Sequence, residues 1–243
     1  MRILIVGTAY PYRGGLAAYS ERLAREYQSE GHEVEIITFT LQYPSFLFPG
    51  KTQFSSEQQP ADLKITRMIN TLNPISWIRA GKAIRRLRAD KVIFCYWMAF
   101  VAPAFGTIAR VARGGNTKMI GLIHNMIPHE PTVLDKIFPR YFVNAMDGFV
   151  AMAESVVGDI NSFDNGMKPK LVSPHPVYDH YGDKPERALA AMKLGLHEQQ
   201  RYILFFGFIR HYKGLDLLLE AFADKRLRKF PIKLIIAGEF YEN

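Results

Sequence analysis

Cysteine is almost missing from this chain, with Cys95 the only one in 243 residues. A disulfide framework within the chain is therefore excluded, and the composition fits a reducing compartment. Cys95 lies inside the apolar run Val92-Ile93-Phe94-Cys95-Tyr96, which marks it as a small core residue. Acids are also short, at 23 Asp and Glu against 31 Lys and Arg, for a formal net charge of +8. No uninterrupted apolar run has the length of a membrane span. The nearest, Val92 to Ala109, contains Pro103 and Gly106 between Lys91 and Arg110, so a buried strand followed by a buried helix accounts for it better. Met1-Arg2 passes directly into the first apolar run, and no signal peptide is expected ahead of it. Metal-ligand spacing is missing too. His124 and His129 are too loosely placed for a pair, no cysteine or acid completes a site, and metal-free chemistry without a cofactor is expected. Glu130 has no evident carboxylate opposite it, as a hydrolase would require. The positive charge comes without a finger, RNA-recognition or helix-turn-helix pattern, which argues against nucleic acid.

What is present is an alternation. Apolar residues make up 48% and charged residues 22%, ordinary values for a globular protein. The pattern predicts strands at 2–6, 33–39, 63–67, 91–96, 118–123, 148–151 and 170–172. It predicts helices at 16–30, 74–89, 99–112, 131–145 and 154–163. Lys184 to His197 is polar, charged and helical and reads as an interdomain connection, followed by a further strand at Tyr202 to Phe206. Such alternation implies an α/β fold with a doubly wound, mostly parallel Rossmann-like sheet and ligands at the carboxyl ends of its strands. Leu41 to Pro60 has no sustained period and forms a long loop, the kind that is often functional or mobile. Its Tyr43, Phe46, Phe48 and Phe54 either line a groove for an acceptor or cover the sheet edge.

Two glycine turns carry the chemistry. Arg2 to Val6 ends at Gly7, and Thr8 to Arg13 leads to Gly14-Gly15. There a helix starts, with Leu16, Tyr19, Leu23 and Tyr27 on one face, and Gly31 stops it. A Gly-Gly pair at a helix start lets a phosphate or hydroxyl approach the backbone. The residues after Gly7 are Thr, Ala, Tyr and Pro, so the dinucleotide fingerprint is absent and a nicotinamide enzyme is disfavoured. The second turn is Phe206-Gly207-Phe208-Ile209-Arg210-His211-Tyr212-Lys213-Gly214-Leu215-Asp216, between a buried-strand run and an amphipathic helix. Its two cations and the unpaired N–H groups expected at a helix start favour a diphosphate.

In order and spacing these stretches resemble the retaining glycosyltransferases of family 4, of the GT-B architecture. The resemblance runs through Gly14-Gly15, Ile123-His124-Asn125, Ser173-Pro174-His175-Pro176-Val177-Tyr178-Asp179, Gly207 to Gly214, and Ile235-Ile236-Ala237-Gly238-Glu239. It implies an acceptor-binding Rossmann-like domain over 1–178. Residues 179–243 would be a linker and the start of a nucleotide-sugar-binding domain. It also implies hexosyl transfer from a UDP- or GDP-sugar to a glycan or lipid-linked acceptor, in polysaccharide or cell-surface glycan synthesis. His124 is the implied catalytic residue, beside the sugar. Gly14, Gly15, Asn125, Arg210, Lys213, Gly238 and Glu239 are the implied substrate-binding residues, facing one interdomain cleft. His175, between two prolines, reads as a hinge or packing residue.

Two departures matter. Phe208 stands where the family turn has its arginine, so the arginine's role passes to Arg210. The family's Glu-x7-Glu signature does not occur before Asn243, so the chain reads as a fragment of a longer enzyme, expected to be inactive alone. The stretch from Arg79 to Lys91 adds Arg79, Lys82, Arg85, Arg86, Arg88 and Lys91 against the single acid Asp90. With Trp77, Ile78, Ala80, Ile84 and Leu87 it forms a helix with one apolar and one basic face. That helix either docks on an anionic membrane, as a peripheral protein on the cytoplasmic face, or packs on the core with a solvated basic side. A nucleotide-sugar epimerase of the same architecture and a non-catalytic membrane-docking module are the rival functions.

Overall fold

A computed structural model describes residues 1–44, 52–127, 134–164, 166–177, 179 and 182–240. The chain divides into two compact units, the first Met1–Leu47 with Gln53–Pro176 and the second Phe48–Thr52 with Val177–Asn243.

Seven parallel strands form the sheet of the first unit. They are β1 (Arg2–Val6), β2 (Glu33–Leu41), β3 (Ile65–Asn70), β4 (Lys91–Tyr96), β5 (Lys118–Ile123), β6 (Gly148–Ala151) and β7 (Lys170–Val172). Their order is β3-β2-β1-β4-β5-β6-β7. Near-continuous apolar runs such as Arg2–Val6 suit strands covered on both faces, and Ile3, Leu4, Ile5 and Val6 are indeed buried. Successive side chains leave a strand on opposite faces, so the sheet feeds two cores. Leu4, Val6, Ile37, Phe39, Phe94, Tyr96 and Ile123 enter the larger one. It is closed by α2 (Pro74–Leu87), α3 (Ala102–Ala112), α4 (Leu134–Val143) and α5 (Glu154–Asp164). Ile3, Ile5, Ile36, Ile93, Cys95 and Leu122 enter the other. There α1 (Gly15–Ser29) contributes Ala24, flanked by Tyr19, Leu23 and Tyr27.

Local chemistry sets the helix ends. The Asn73 side chain accepts the Ile75 N–H at 3.0 Å and Pro74 occupies the first helical position, so α2 begins there. At its other end Arg88 adopts the left-handed conformation, φ 48°. Within α2, Gly81 permits the close approach of α3: a Cβ at Gly81 would stand 2.6 Å from that of Val111.

Three expectations need adjustment. The third strand runs 65–70 rather than 63–67, because it follows β2 along its length through register shifts as far as Leu41↔Asn70. Leu63 is buried in the smaller core before the strand starts. The helix at 99–112 begins as a 3-10 turn, Ala99–Val101, before α3. The loop at 41–60 is partly paired: Tyr12 and Phe54 form an antiparallel bridge, with Arg13 N–H on Gln53 O at 3.0 Å and Ser55 N–H on Pro11 O at 2.8 Å. Phe46 and Phe48, like His129, Glu130 and Tyr178, lie outside the described residues. Val92 to Ala109 is β4, the 3-10 turn and part of α3, and no described helix is long and apolar enough to cross a membrane. Cys95 is fully enclosed, and burial pushes its thiol up to about 12.

The second unit holds α6 (Arg187–Leu194), β8 (Arg201–Phe206), α7 (Leu215–Ala223) and β9 (Ile232–Ala237). β8 and β9 pair in parallel from Arg201↔Ile232 to Phe206↔Ala237. Arg187 donates to the carbonyls of Glu198 and Gln200 at 2.9 Å each, and the Tyr202 hydroxyl accepts the His197 N–H at 3.0 Å, which ties α6 to β8.

Candidate functional site

Strand order in the first sheet reverses at β1, which has β2 on one side and β4 on the other. A crevice for a ligand opens at the carboxyl ends of strands at such a switch point. The loop after β1 is held there from both sides. Its Ala9 N–H donates to Thr38 Oγ1 at 3.1 Å and its Tyr10 N–H to Glu21 Oε1 at 2.8 Å. Burial raises the pKa of Glu21, and the Tyr10 N–H acts against that rise. Tyr12 turns back beneath, its hydroxyl accepting the Gln42 N–H at 3.1 Å.

At the carboxyl ends of the strands, four buried side-chain atoms have no hydrogen-bond partner among the described residues: Thr8 Oγ1, Gln42 Oε1, His124 Nε2 and, on a ring that lies in the larger core against Phe142, Tyr96 Oη. Each belongs to a different strand end, after β1, after β2, at the end of β4 and after β5. Buried polar groups are rarely left unpaired, since each costs roughly 1–3 kcal/mol. Sequence reasoning found only His124 among the four. Thr8 and Gln42 carried a positional signal, since each follows a strand end closely. Tyr96 looked like one more apolar member of its strand.

His124 is anchored by its own N–H on the Tyr96 carbonyl at 2.9 Å. Its ring meets Tyr19 of α1 edge-on at 4.7 Å between centroids, and His175 lies 5.1 Å from Tyr19 and 6.2 Å from His124. Burial, with a lesser contribution from the charge of His175, lowers the His124 pKa to about 4. With that pKa the imidazole is neutral at physiological pH. His175 packs against Tyr19 and bonds its own neighbour, Nδ1 to Pro176 O at 2.9 Å. Gly14 precedes α1 with φ 106°, open space where its side chain would stand, and Gly15 is the first helical residue. Asn125 follows His124, half-buried.

In the second unit the diphosphate turn has a different shape from the one expected. His211–Lys213 is a 3-10 turn, and the N–H groups of Lys213 and Gly214 are already bonded to Arg210 O and His211 O, at 3.0 and 3.1 Å. The first bond of α7 joins Leu218 N–H to Gly214 O, so the donors left over at the helix start belong to Leu215, Asp216 and Leu217. Gly207, φ 113°, leaves space that Lys213 uses: a Cβ on Gly207 would stand 3.1 Å from Lys213 Nζ. The Arg210 guanidinium lies 6.0 Å from the centre of the Tyr212 ring. Gly238 crosses Gly207 so closely that its Cβ would come 1.9 Å from the Gly207 oxygen, while the Glu239 carbonyl accepts the Ile209 N–H at 2.8 Å. Lys213, Gly238 and Glu239 thus gather around Gly207. Among the described residues no group of three or more His, Cys, Asp or Glu could hold a metal.

Comparison with known proteins gives this geometry a family. The chain is 24% identical to a putative colanic acid biosynthesis glycosyl transferase, WcaI, of Escherichia coli (strain K12), over 98% of this chain and 66% of the relative. It is also 24% identical to an uncharacterized glycosyltransferase, MJ1607, of Methanocaldococcus jannaschii, over 98% of this chain and 63% of the relative. The chain therefore spans slightly less than two thirds of these relatives. Among solved structures it is similar to an alpha-glucosyltransferase in complex with UDP-glucose and DNA, with a TM-score of 0.60 and 11% identity, covering 98% of this chain and 57% of that one. An Escherichia coli structure titled trehalose-6-phosphate and bound with UDP-2-fluoro glucose gives a TM-score of 0.56 at 13% identity, covering 99% of this chain and 65% of that one. At such identities the likeness speaks for the fold. The sequence profile of Glycosyltransferase Family 4 matches residues 13–174, from the loop before α1 to the segment that ends the first unit. With the GT-B fold of its structural neighbours, this match decides the question: the chain belongs to glycosyltransferase family 4.

Proposed function

We propose that the protein transfers a hexose, with retention, from a nucleotide-diphosphate sugar to a glycan or lipid-linked acceptor. Residues 1–178 form the acceptor-binding domain in this reading, and 179–243 begin the donor-binding one. The observation that carries it is the neutral, half-buried His124 at a strand end of a family 4 domain, its buried Nε2 without a partner among the described residues. A neutral imidazole can hold a sugar hydroxyl without repelling the positive charge that grows on the sugar as its bond to phosphate breaks. Negative charge rises on the departing diphosphate, and preorganised cations and N–H donors stabilise it. Lys213 takes that role beside Gly207 and Gly238, with Arg210 replacing the arginine absent at Phe208. Gly14 and Gly15 admit the donor close to the backbone, Asn125 adds a polar contact next to His124, and Glu239 completes the donor side. UDP- and GDP-sugars are both compatible donors, with no metal required. The name of the Escherichia coli relative supports a polysaccharide or cell-surface glycan as product.

Membrane docking on the cytoplasmic face is part of the proposal. Ile75, Ile78, Arg79, Lys82, Arg85 and Arg86 are exposed on α2, and their spacing puts them on one side of the helix. Apolar residues at one end and cations at the other suit an anionic bilayer.

Calorimetry with free UDP and GDP tests the central role. Lys213→Ala should weaken the preferred nucleotide by about ten- to a hundredfold, the loss of one charge-assisted contact. His124→Ala should lower turnover and leave nucleotide affinity unchanged. Unaltered affinity in Lys213→Ala would sink the assignment.

A further inference from the structure

We propose a second ligand site, at the amino-terminal edge of the first sheet: a pocket that binds a phosphoryl group between Arg85, Arg88 and the turn Gly114–Thr117. None of the residues assigned to sugar transfer takes part. Arg88, Ala89 and Asp90 join α2 to β4, and Arg113 to Thr117 join α3 to β5. Because β4 and β5 are neighbours, the two connections run side by side. Thr117 Oγ1 donates to Ala89 O at 2.7 Å, and the Lys118 N–H to Asp90 O at 3.0 Å. Between them lies a cavity of about 340 Å³, lined chiefly by Arg85, Arg88, Asp90, Gly115, Asn116 and Thr117.

The backbone on both sides is shaped to present the cations. Arg88 is the only non-glycine residue with positive φ among those described, a conformation that costs an ordinary residue roughly 1–2 kcal/mol. Asn or Gly would occupy that cap at less cost. Across the pocket, Gly114 has no side chain to hold Arg85 away, since a Cβ there would stand 3.1 Å from Arg85 Nε. Neither guanidinium has an ion-pair or hydrogen-bond partner among the described residues. The opposing charge is Asp90, and one of its oxygens is committed to the Arg2 N–H at 2.7 Å. Two cations against one carboxylate leave the lining positive. In the turn, the Thr117 N–H bonds to Gly114 O at 3.4 Å, while those of Gly115 (φ 56°) and Asn116 make no backbone bond among the described residues. Guanidinium forks match phosphate oxygens in pairs, and N–H groups of a turn with a left-handed residue form an anion-binding concavity. The phosphoryl group can belong to free phosphate, to a phosphorylated metabolite or to the headgroup of an anionic lipid.

Inorganic phosphate titrated into the isotope-labelled chain, at constant ionic strength, should shift the Gly115 and Asn116 amide resonances saturably. A dissociation constant on the order of 1 mM is expected. Arg88→Gly keeps the left-handed cap and removes the guanidinium, so an unchanged spectrum elsewhere reports an intact fold. It should weaken phosphate about tenfold, as should Arg85→Gln. A parallel arm offers vesicles of phosphatidylglycerol and of phosphatidylcholine. Capture by the former alone, lost in Arg88→Gly and competed by phosphate, makes the ligand a lipid headgroup. Phosphate binding without an effect of Arg88→Gly on capture makes it a soluble phosphate. No saturable shift at Gly115 and Asn116, or full affinity in both variants, overturns the site.

Discussion

The chain contains the same local design twice, and the two copies have opposite surroundings. β1, Gly7 and α1 correspond to β8, Gly207 and α7: an apolar strand, a glycine, and a helix that opens on a further glycine. Ile3 to Val6 of β1 are buried, whereas Leu204 and Phe206 of β8 stand 58% and 78% exposed. The strands are equally apolar, so their own composition does not cause the difference. β1 has strands on both sides and helices over both faces, while among the described residues β8 pairs with β9 alone. The glycines differ for the same reason. A Cβ at Gly7 would lie 2.8 Å from Cys95 Cβ, a neighbouring strand's core atom, whereas at Gly207 it would meet the ammonium of Lys213. One glycine serves packing between strands and the other makes room for a cation.

The comparison can be broken most forcefully at the aromatic core. Phe105 packs among Phe39, Phe94, Trp97 and Phe142, and Phe105→Ala should cost about 3–5 kcal/mol in denaturant unfolding. A loss below about 1 kcal/mol would mean that the first unit is not packed as described. Next comes pH. The folded-state pKa of His124, about 4, lies below the ordinary value near 6.5. The unfolded chain therefore binds more protons between these values, and stability rises with pH across that window. The contribution, up to about 3 kcal/mol, is complete above pH 6.5 and lost as pH falls towards 4. His124→Gln should flatten that part of the stability profile, and an unchanged slope would show that the ring is not the group responsible. Gly7→Ala should destabilise by about 1–3 kcal/mol through overpacking against the Cys95 Cβ, with Cys95→Gly, which removes that atom, as a partial rescue in the double variant. Gly207→Ala lacks that rescue and should instead displace Lys213, which is read as weaker nucleotide binding. The smallest effect belongs to Phe206→Ala, within about 0.5 kcal/mol because its ring is mostly exposed. A loss comparable to that of Phe105→Ala would erase the contrast between the units.

Much of this architecture was legible beforehand. The strands at 2–6, 91–96, 118–123, 148–151 and 170–172 have the bounds that periodicity assigns them. Parallel strands buried on both faces are continuous apolar runs, and a continuous run has clear ends. β3 was displaced because its limits follow the strand beside it more than its own residues. His124 could be found because it directly follows a strand. Gln42 lies in a segment whose pattern predicts a long loop, and Tyr96 is a core aromatic whose hydroxyl nothing in its strand marks out. Their polar atoms become candidates only when the backbone brings four strand ends together and leaves them without partners. The sequence marks the turn at Lys213 as a cationic glycine turn and predicts free N–H groups in it. The chain instead spends two of them on a 3-10 turn, a hydrogen-bond choice that glycine placement alone does not specify.

By itself the sequence determined the alternation of strands and helices, the glycine turns at their junctions and the order of motifs that marks the family. These are properties of neighbours along the chain, set by side-chain period and backbone freedom. The tertiary structure alone decided which equally apolar strand is buried, which polar atoms are left unpaired at the sheet's carboxyl edge, and that Arg85 and Arg88 share a pocket with a turn more than twenty residues away. Burial and charge act through space, and residues far apart in sequence feel them only once the sheet has set their distance.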